Sequence, residues 1–316
     1  MIKIKNLKGF LFVFFIIILH TSCPDPDPSY VNIYPSDIDI PGTGVLKYTK
    51  TLWDGKNEGT EIFSAAKVGD EIWIFTRDYS GFYINRGLNK SNANRLRLDS
   101  GYSYWDFGQR LITKGDYVLL LASKHTYEPK NEYIYYTTRI HKNFSNRQYF
   151  KILNTGDYDF YPDIQVYYGN GDVFFILYGD DEETDLYKPK IYYLLNDASN
   201  AVNETTEETF DNFRFQYQNI VMSEGSEGDG RYHQYDLVTD ENGRFYRIYY
   251  GYDDYGFEVS IDNGTTWYKG DIGTNYPKSI VIQNGSIYVF CDAESIWGSM
   301  WSTKSVGGGI HVFQWE

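Results

Sequence analysis

Cysteine is almost missing from this chain of 316 residues: only Cys23 and Cys291 occur. A small secreted fold held together by disulfides is therefore excluded, and stability has to come from buried apolar surface. Histidine is as sparse. Beyond residue 22 there are His125, His141, His233 and His311, with no Cys–His or His-x-His spacing from which a zinc site could be read. Basic residues are in deficit, 29 Lys and Arg against 43 Asp and Glu, for a net charge of −14. A chain of that sign lacks the basic footprint that nucleic acid requires, and gains nothing from an anionic lipid surface. Long apolar runs are absent apart from residues 10–19, which are too few to span a bilayer as a helix.

What is present begins with that run. Lys3, Lys5 and Lys8 precede it, and Thr21 and Ser22 lead from it to Cys23, the order of a secretory signal. The small residues before a cysteine resemble the lipobox of bacterial lipoproteins, with one departure: His20 stands where that family has an aliphatic residue. The resemblance implies that residues 1–22 are removed and that Cys23 becomes the lipid-modified first residue. The protein is then exported and anchored to a bacterial membrane, at the outer membrane or cell surface, touching lipid only through that anchor. An ordinary secretory signal cleaved nearby is the alternative, and export is common to both. Loss of residues 1–22 takes three lysines away, leaving 26 basic against 43 acidic residues and a net charge of −17. Cys291 lies in the apolar run 287–291, where a buried, inert thiol is expected.

Five of the nine prolines fall within 24–44, interleaved with Asp25, Asp27, Asp37 and Asp39. Proline fixes φ and the acids repel one another, so residues 23–44 read as the lipidated cysteine and an extended tether. From residue 45 onwards aromatics are dense and proline is scarce. One pattern recurs there: an alternating apolar strand, a Gly turn, then a strand of aromatic and β-branched residues. It occupies 63–75, 111–121, 164–177, 235–249 and 280–290, with turn glycines Gly69, Gly115, Gly171, Gly243 and Gly285. Third strands follow at 81–85, 133–138, 190–195, 257–261 and 310–315. Fourth strands follow in the first four copies, at 95–98, 148–153, 213–220 and 266–270. Four antiparallel strands repeated radially predict a β-propeller over 45–316. Five blades are expected, with a polar insertion at 196–212 and with 45–53 supplying the missing strand of the last blade. Six blades and a β-sandwich are the alternatives.

Residues 260–267 match the Asp-box pattern Ser/Thr-x-Asp-x-Gly-x-Thr/Ser-Trp at Ser260, Asp262, Gly264, Thr266 and Trp267. This resembles the bacterial-neuraminidase repeat of sialidases and other propellers. The resemblance implies a structural turn, with Asp262 accepting from turn amides, Gly264 at positive φ and Trp267 packed on the blade. Sialidase activity would need an arginine triad and an Arg-Ile-Pro near the first blade. Arg139-Ile140 and Arg247-Ile248 are followed by His141 and Tyr249, so the resemblance stops at the fold.

In a propeller the turns between second and third strands share a face with the starts of the first strands. Gathered there are the aromatic and imidazole groups Tyr79, His125, Tyr252, Tyr255 and Trp297, the candidate ligand-binding residues. Glu61, Asp106 and Asp163 open consecutive blades and are the candidate catalytic carboxylates. Asp180, Asp181 and Asp185 are a candidate Ca²⁺ cluster, although their spacing matches no EF-hand. The expectation is a cell-envelope lipoprotein that recognises a glycan or an envelope or host protein without catalysis. A glycoside hydrolase with an acidic funnel and a structural envelope scaffold are the alternatives.

Overall fold

The structure, a computed structural model, describes residues 34–53, 60–78, 80–89, 94–102, 111–126, 132–154, 163–169, 172–180, 187–195, 201–216, 234–250, 255–273, 276–292, 294–298, 302–306 and 309–316. Their strands are β1 (Ile38–Ile40), β2 (Gly44–Leu52), β3 (Glu61–Val68), β4 (Glu71–Asp78), β5 (Gly81–Arg86), β6 (Arg95–Arg97), β7 (Leu111–Lys114), β8 (Tyr117–Thr126), β9 (Glu132–His141) and β10 (Arg147–Asn154). There follow β11 (Asp163–Gly169), β12 (Asp172–Asp180), β13 (Tyr187–Leu195), β14 (Val202–Thr205), helix α1 (Glu207–Gln216), β15 (Gln234–Thr239), β16 (Phe245–Tyr250), β17 (Tyr255–Ser260) and β18 (Tyr268–Gly270). The last are β19 (Tyr276–Gln283), β20 (Ser286–Asp292), β21 (Glu294–Gly298), β22 (Ser302–Val306) and β23 (Gly309–Trp315).

These strands form a β-propeller. Four antiparallel sheets, β3–β6, β7–β10, β11–β14 and β15–β18, are blades 1 to 4 in chain order. The fifth is ordered β1-β2-β23-β20-β19, so strands from the two ends of the fold complete one blade. Among the described residues the sheets make five blades. The turn glycines Gly69, Gly115, Gly243 and Gly285 sit at φ between 56° and 75°, the conformation that lets a first strand reverse tightly into a second.

The central strands are continuous apolar runs because both faces are buried. In blade 1, Trp73 and Phe75 pack with Val118 and Leu120 of blade 2, while Ile72 and Ile74 pack with Val281, Phe290 and Ile310 of blade 5. In blade 2 the alternate residues Leu119 and Leu121 meet Val173, Phe175 and Leu177 of blade 3. Tyr246, Ile248, Phe257 and Val259 of blade 4 pack on Ile280, Ile287, Val289 and Phe313 of blade 5. Each fully buried aromatic or aliphatic side chain contributes roughly 1.5–3 kcal/mol by removal from water.

Closure is by hydrogen-bonded pairing of β2 with β23, Leu46 opposite Trp315 and Leu52 opposite Ile310, as expected for 45–53. His311 of β23 is 2% exposed. Its Nδ1 shares a 2.8 Å hydrogen bond with Thr51 Oγ1, which in turn lies 2.7 Å from Tyr48 Oη. Burial pushes the His311 imidazole down to about 4. The closing strand is also tied to blade 4: Trp315 Nε1 donates to Tyr246 Oη at 2.6 Å, and Tyr246 Oη donates to Asp240 Oδ2 at 2.7 Å.

Several expectations are corrected. The tether does not extend to residue 44, because Ile38 and Ile40 of β1 are buried at 4% and 1% with Asp39 exposed between them. The alternation of two isoleucines outweighs the surrounding Pro and Asp. The fourth strand of blade 3 is β14, not 213–220, and the surplus residues come after it. They include α1, where Thr206 accepts from Phe210 N at 3.1 Å through its carbonyl and from Thr209 N at 3.2 Å through its hydroxyl, an N-cap. Phe210 anchors the helix on Phe174 and Ile176 of blade 3. Blade 5 carries an extra ribbon, β21–β22, between its second and third strands. Among the described residues no helix is long and apolar enough to cross a membrane.

Candidate functional site

First strands start, and second strands end, on one face of the ring. Two of the first strands carry a β-bulge near that end. In β3 the register shifts between Ile62 and Ser64, and in β19 between Pro277 and Ser279. A bulge bends a strand and re-aims the side chains beyond it. In both strands the re-aimed residue is a serine; each is 1% exposed, and the two hydroxyls lie 3.1 Å apart. Ser279 Oγ accepts from Ala65 N at 3.0 Å, and Ser64 Oγ accepts from Leu111 N at 3.0 Å. The innermost strands of blades 5, 1 and 2 are thereby stitched together just inside the rim.

Above the serines stands Glu61, the first residue of β3. It pairs in register with Arg77 at the end of β4, and Arg77 Nη2 donates to its Oε1 at 2.7 Å. The Arg77 guanidinium thus fixes the position of the Glu61 carboxyl group at the rim. Asp163 is the first residue of β11, opposite Tyr178. The topology therefore brings Glu61 and Asp163 to the same face at the ends of two innermost strands. Asp106, the third candidate carboxylate, lies outside the described residues.

The neighbouring turn of blade 1 is braced. Asp78 Oδ1 accepts from Ser80 N at 2.8 Å, and Arg95 Nη2 donates to Asp78 Oδ2 at 2.6 Å. The Arg95 guanidinium lies 3.3 Å from the Tyr83 ring centroid, and Arg97 Nη2 donates to the Ser80 carbonyl at 2.8 Å. Burial alone would raise the Asp78 carboxyl, but Arg95 and Ser80 outweigh it and hold the group below its ordinary range.

On the neighbouring blades 4 and 5, Tyr255 at the start of β17 and Tyr276 at the start of β19 have ring centroids 5.0 Å apart at 50°. Tyr276 pairs in register with Asp292. Tyr255 is among the residues expected on this face. Tyr276 is not, although a Tyr-Pro step opening an alternating strand could have signalled it. The two serines are likewise outside the expected set, since they look like ordinary strand positions until the bulges are seen. His125 lies near the end of β8, half-buried and paired with Tyr133. Trp297 lies on β21, opposite Thr303 in β22. Tyr79 and Tyr252 fall outside the described residues.

Asp180 ends β12, while Asp181 and Asp185 lie outside the described residues, as does Cys23. Among the described residues no group of His, Cys, Asp or Glu is arranged to hold a metal ion. Cys291 is wholly buried and its thiol is pushed up by that burial, so it is neither ligand nor nucleophile.

The turn after β17 lies on the opposite face. Ser260 Oγ donates to Asp262 Oδ1 at 2.8 Å and accepts from Gly264 N at 2.8 Å, while Asp262 Oδ1 also accepts from Thr266 N at 2.8 Å. These donors, Thr266 foremost, hold the Asp262 carboxyl below its ordinary range. Gly264 sits at φ 82° with its Cα against Trp267, and the Arg247 guanidinium stacks 3.9 Å from the Trp267 ring. Every defined residue of the motif is thus engaged inside the turn or on its own blade.

No known family profile matches the chain, and no curated protein does. Similar solved structures include the GH43_1 enzyme from Xanthomonas citri complexed with xylose, at 11% identity over 85% of this chain and 89% of that one, with a TM-score of 0.41. A thermostable family-43 glycoside hydrolase matches at 11% identity over 85% and 92%, with a TM-score of 0.39. The endo-arabinase from Bacteroides thetaiotaomicron matches at 11% identity over 81% and 97%, with a TM-score of 0.35. At these scores the likeness carries no weight for the chemistry of this chain.

Proposed function

We propose that the protein binds a carbohydrate at the mouth of the propeller axis and cleaves a glycosidic bond there. The observation that carries this reading is the placement of Glu61 and Asp163 as opening residues of two innermost strands on one face, with the Tyr255–Tyr276 pair on the same face. Sugars offer C–H faces to aromatic rings and hydroxyls to carboxylates. Glycoside cleavage uses two carboxyl groups with different duties, one donating a proton to the leaving oxygen and one acting as base or nucleophile. Glu61, with Arg77 on its Oε1, suits the second duty, and Asp163 or Asp106 the first.

Recognition without cleavage is the second reading, and the Glu61–Arg77 ion pair favours it, because a carboxylate already satisfied by arginine also serves as a fixed hydrogen-bond acceptor. Both readings take carbohydrate as the ligand in preference to an envelope or host protein or a purely structural scaffold role.

One experiment separates the two. The chain from residue 24 onward is incubated with neutral oligosaccharides and polysaccharides, and both retention and newly released reducing ends are measured. Release that falls at least a hundredfold in Glu61→Gln and Asp163→Asn supports hydrolysis. Retention with no release supports recognition, and neither retention nor release sinks the carbohydrate reading.

We further infer that the protein is exported and held at the bacterial envelope by lipid on Cys23, with residues 260–267 acting as a structural Asp-box turn. The leader and the small residues before Cys23 support the first inference. A clickable palmitate analogue that labels the wild type but not Cys23→Ala supports it, and equal labelling of both overturns it.

A further inference from the structure

The innermost strands of blades 5 and 1, β19 and β3, run side by side in the same direction. Ser279 lies beside Ser64 and Ala65, and further from the rim Gln283 Nε2 donates to the Asp70 carbonyl. The two strands therefore keep step along their length. Each carries its bulge just before the bridging serine, between Ile62 and Ser64 in β3 and between Pro277 and Ser279 in β19. Three residues back from the serines stand Glu61 and Tyr276, the opening residues of their strands. Equal offsets across matched bulges put these two at one level, on adjacent strands, above the serine bridge.

Both are half-buried, and each is held from one side. Arg77 Nη2 donates to Glu61 Oε1 at 2.7 Å. The Tyr276 ring rests against Tyr255, which packs on the core of the blade 4–blade 5 seam. Around this part of the rim the order is thus a bracing ring, a second ring, and a carboxyl group fixed by arginine. A ring and a carboxyl group at one level offer the two contacts that a sugar unit makes at once, a surface for its C–H face and a partner for its hydroxyls.

We infer that Tyr276 is a specificity-determining residue beside Glu61, its ring carrying the C–H face of the same sugar unit whose hydroxyls hydrogen-bond Glu61. This rests on the carbohydrate reading above. It places the centre of recognition where blades 5 and 1 meet at the rim. The competing account is that Tyr276 only packs against Tyr255, in which case any apolar side chain of similar bulk would serve.

The test compares a ring with bulk alone. Binding of xylo-, cello-, manno- and arabino-tetraose is measured calorimetrically for the chain from residue 24 onward. For a member that the wild type binds, Tyr276→Phe keeps the affinity within about threefold, whereas Tyr276→Leu loses about tenfold. Combining Tyr276→Leu with Glu61→Gln weakens binding by clearly less than the product of the two single losses, because both side chains act on one unit. A second measurement needs no leucine variant: irradiating the aromatic protons of the wild type and of Tyr276→Phe transfers saturation mainly to the C–H protons on one face of one sugar unit. Equal affinities of the Phe and Leu variants, losses that simply multiply, or saturation spread evenly along the ligand each overturn the assignment and leave the carbohydrate reading standing. A wild type that binds none of the four also overturns it, and retention of polysaccharide in the preceding experiment tells whether the carbohydrate reading falls with it.

Discussion

Thr51 and His311 meet across the seam that closes the ring, hydroxyl to imidazole at 2.8 Å, and the other ring nitrogen, Nε2, is buried without a hydrogen-bond partner. Protonation would put a charge and a donor where neither is accommodated. The folded state holds this imidazole at about 4, below its ordinary 6.5, so the unfolded chain binds the extra proton first. Stability from this group is full above about pH 6.5, falls as pH drops towards 4, and is flat below that. The loss is on the order of 3 kcal/mol. Urea midpoints compared at pH 7 and pH 4.5 should show a drop in the wild type that is clearly smaller in His311→Gln.

Ser64 and Ser279 should behave as one unit. Ser64→Ala leaves Leu111 N without its acceptor and Ser279→Ala does the same to Ala65 N, in a buried setting. Each should cost about 1–3 kcal/mol. The double variant should cost less than the sum of the two, because the hydroxyl pair is already broken by either change. Chemical denaturation of the four proteins in the cycle measures this coupling; simple additivity would show that the serines do not depend on one another.

Gly270 has no room for a side chain. A Cβ there would lie 2.5 Å from Ile38 Cδ1 and 3.2 Å from Phe257 Cδ1. Gly270→Ala should therefore destabilise by about 1–3 kcal/mol through overpacking of the blade 4–blade 5 seam. Ile38→Val removes the offending methyl, so the combination should recover part of the loss. Melting temperatures of the single and double variants decide the point.

Phe210 is the anchor of α1 on blade 3, 5% exposed against Phe174 and Ile176. Phe210→Ala should cost about 3–5 kcal/mol. Amide exchange in 207–216 should accelerate while β8 and β9 of blade 2 stay protected. Uniform acceleration across both regions would mean that the helix is integral to the ring rather than a local addition.

Much of the fold is legible in the sequence because propeller strands advertise themselves twice. Alternation at 45–53 and 310–315 marks two lone strands, and the run around Trp73 marks a strand buried on both faces. Gly turns fix where each hairpin reverses. The failures have equally local causes. Phe213 and Phe215 stand two apart and imitate a strand, although Thr206 followed by Glu207 and Glu208 carries the cap and first-turn acids of a helix. β14 is a short outer strand whose middle residues Asn203 and Glu204 are exposed, so no apolar pattern announces it.

The site is less legible than the fold. The face bearing Glu61 and Asp163 follows from strand direction alone, but the pairing of Glu61 with Arg77 depends on register, and the serine bridge depends on bulges that no residue type predicts. The ribbon is hidden for another reason. Its strands alternate only weakly between polar and apolar, and a hairpin inserted within a blade breaks the expected order of second and third strands.

Strand β23 is flanked on both sides, by β20 and by β2, although it follows all the other described strands in the chain. During synthesis the opening strands β1 and β2 must wait, without a place, until residues 309–315 have emerged. A chain that stops before residue 309 has lost an interior strand of blade 5 rather than a dispensable segment. Truncation before residue 309 should therefore be as damaging as the loss of a central strand of any other blade.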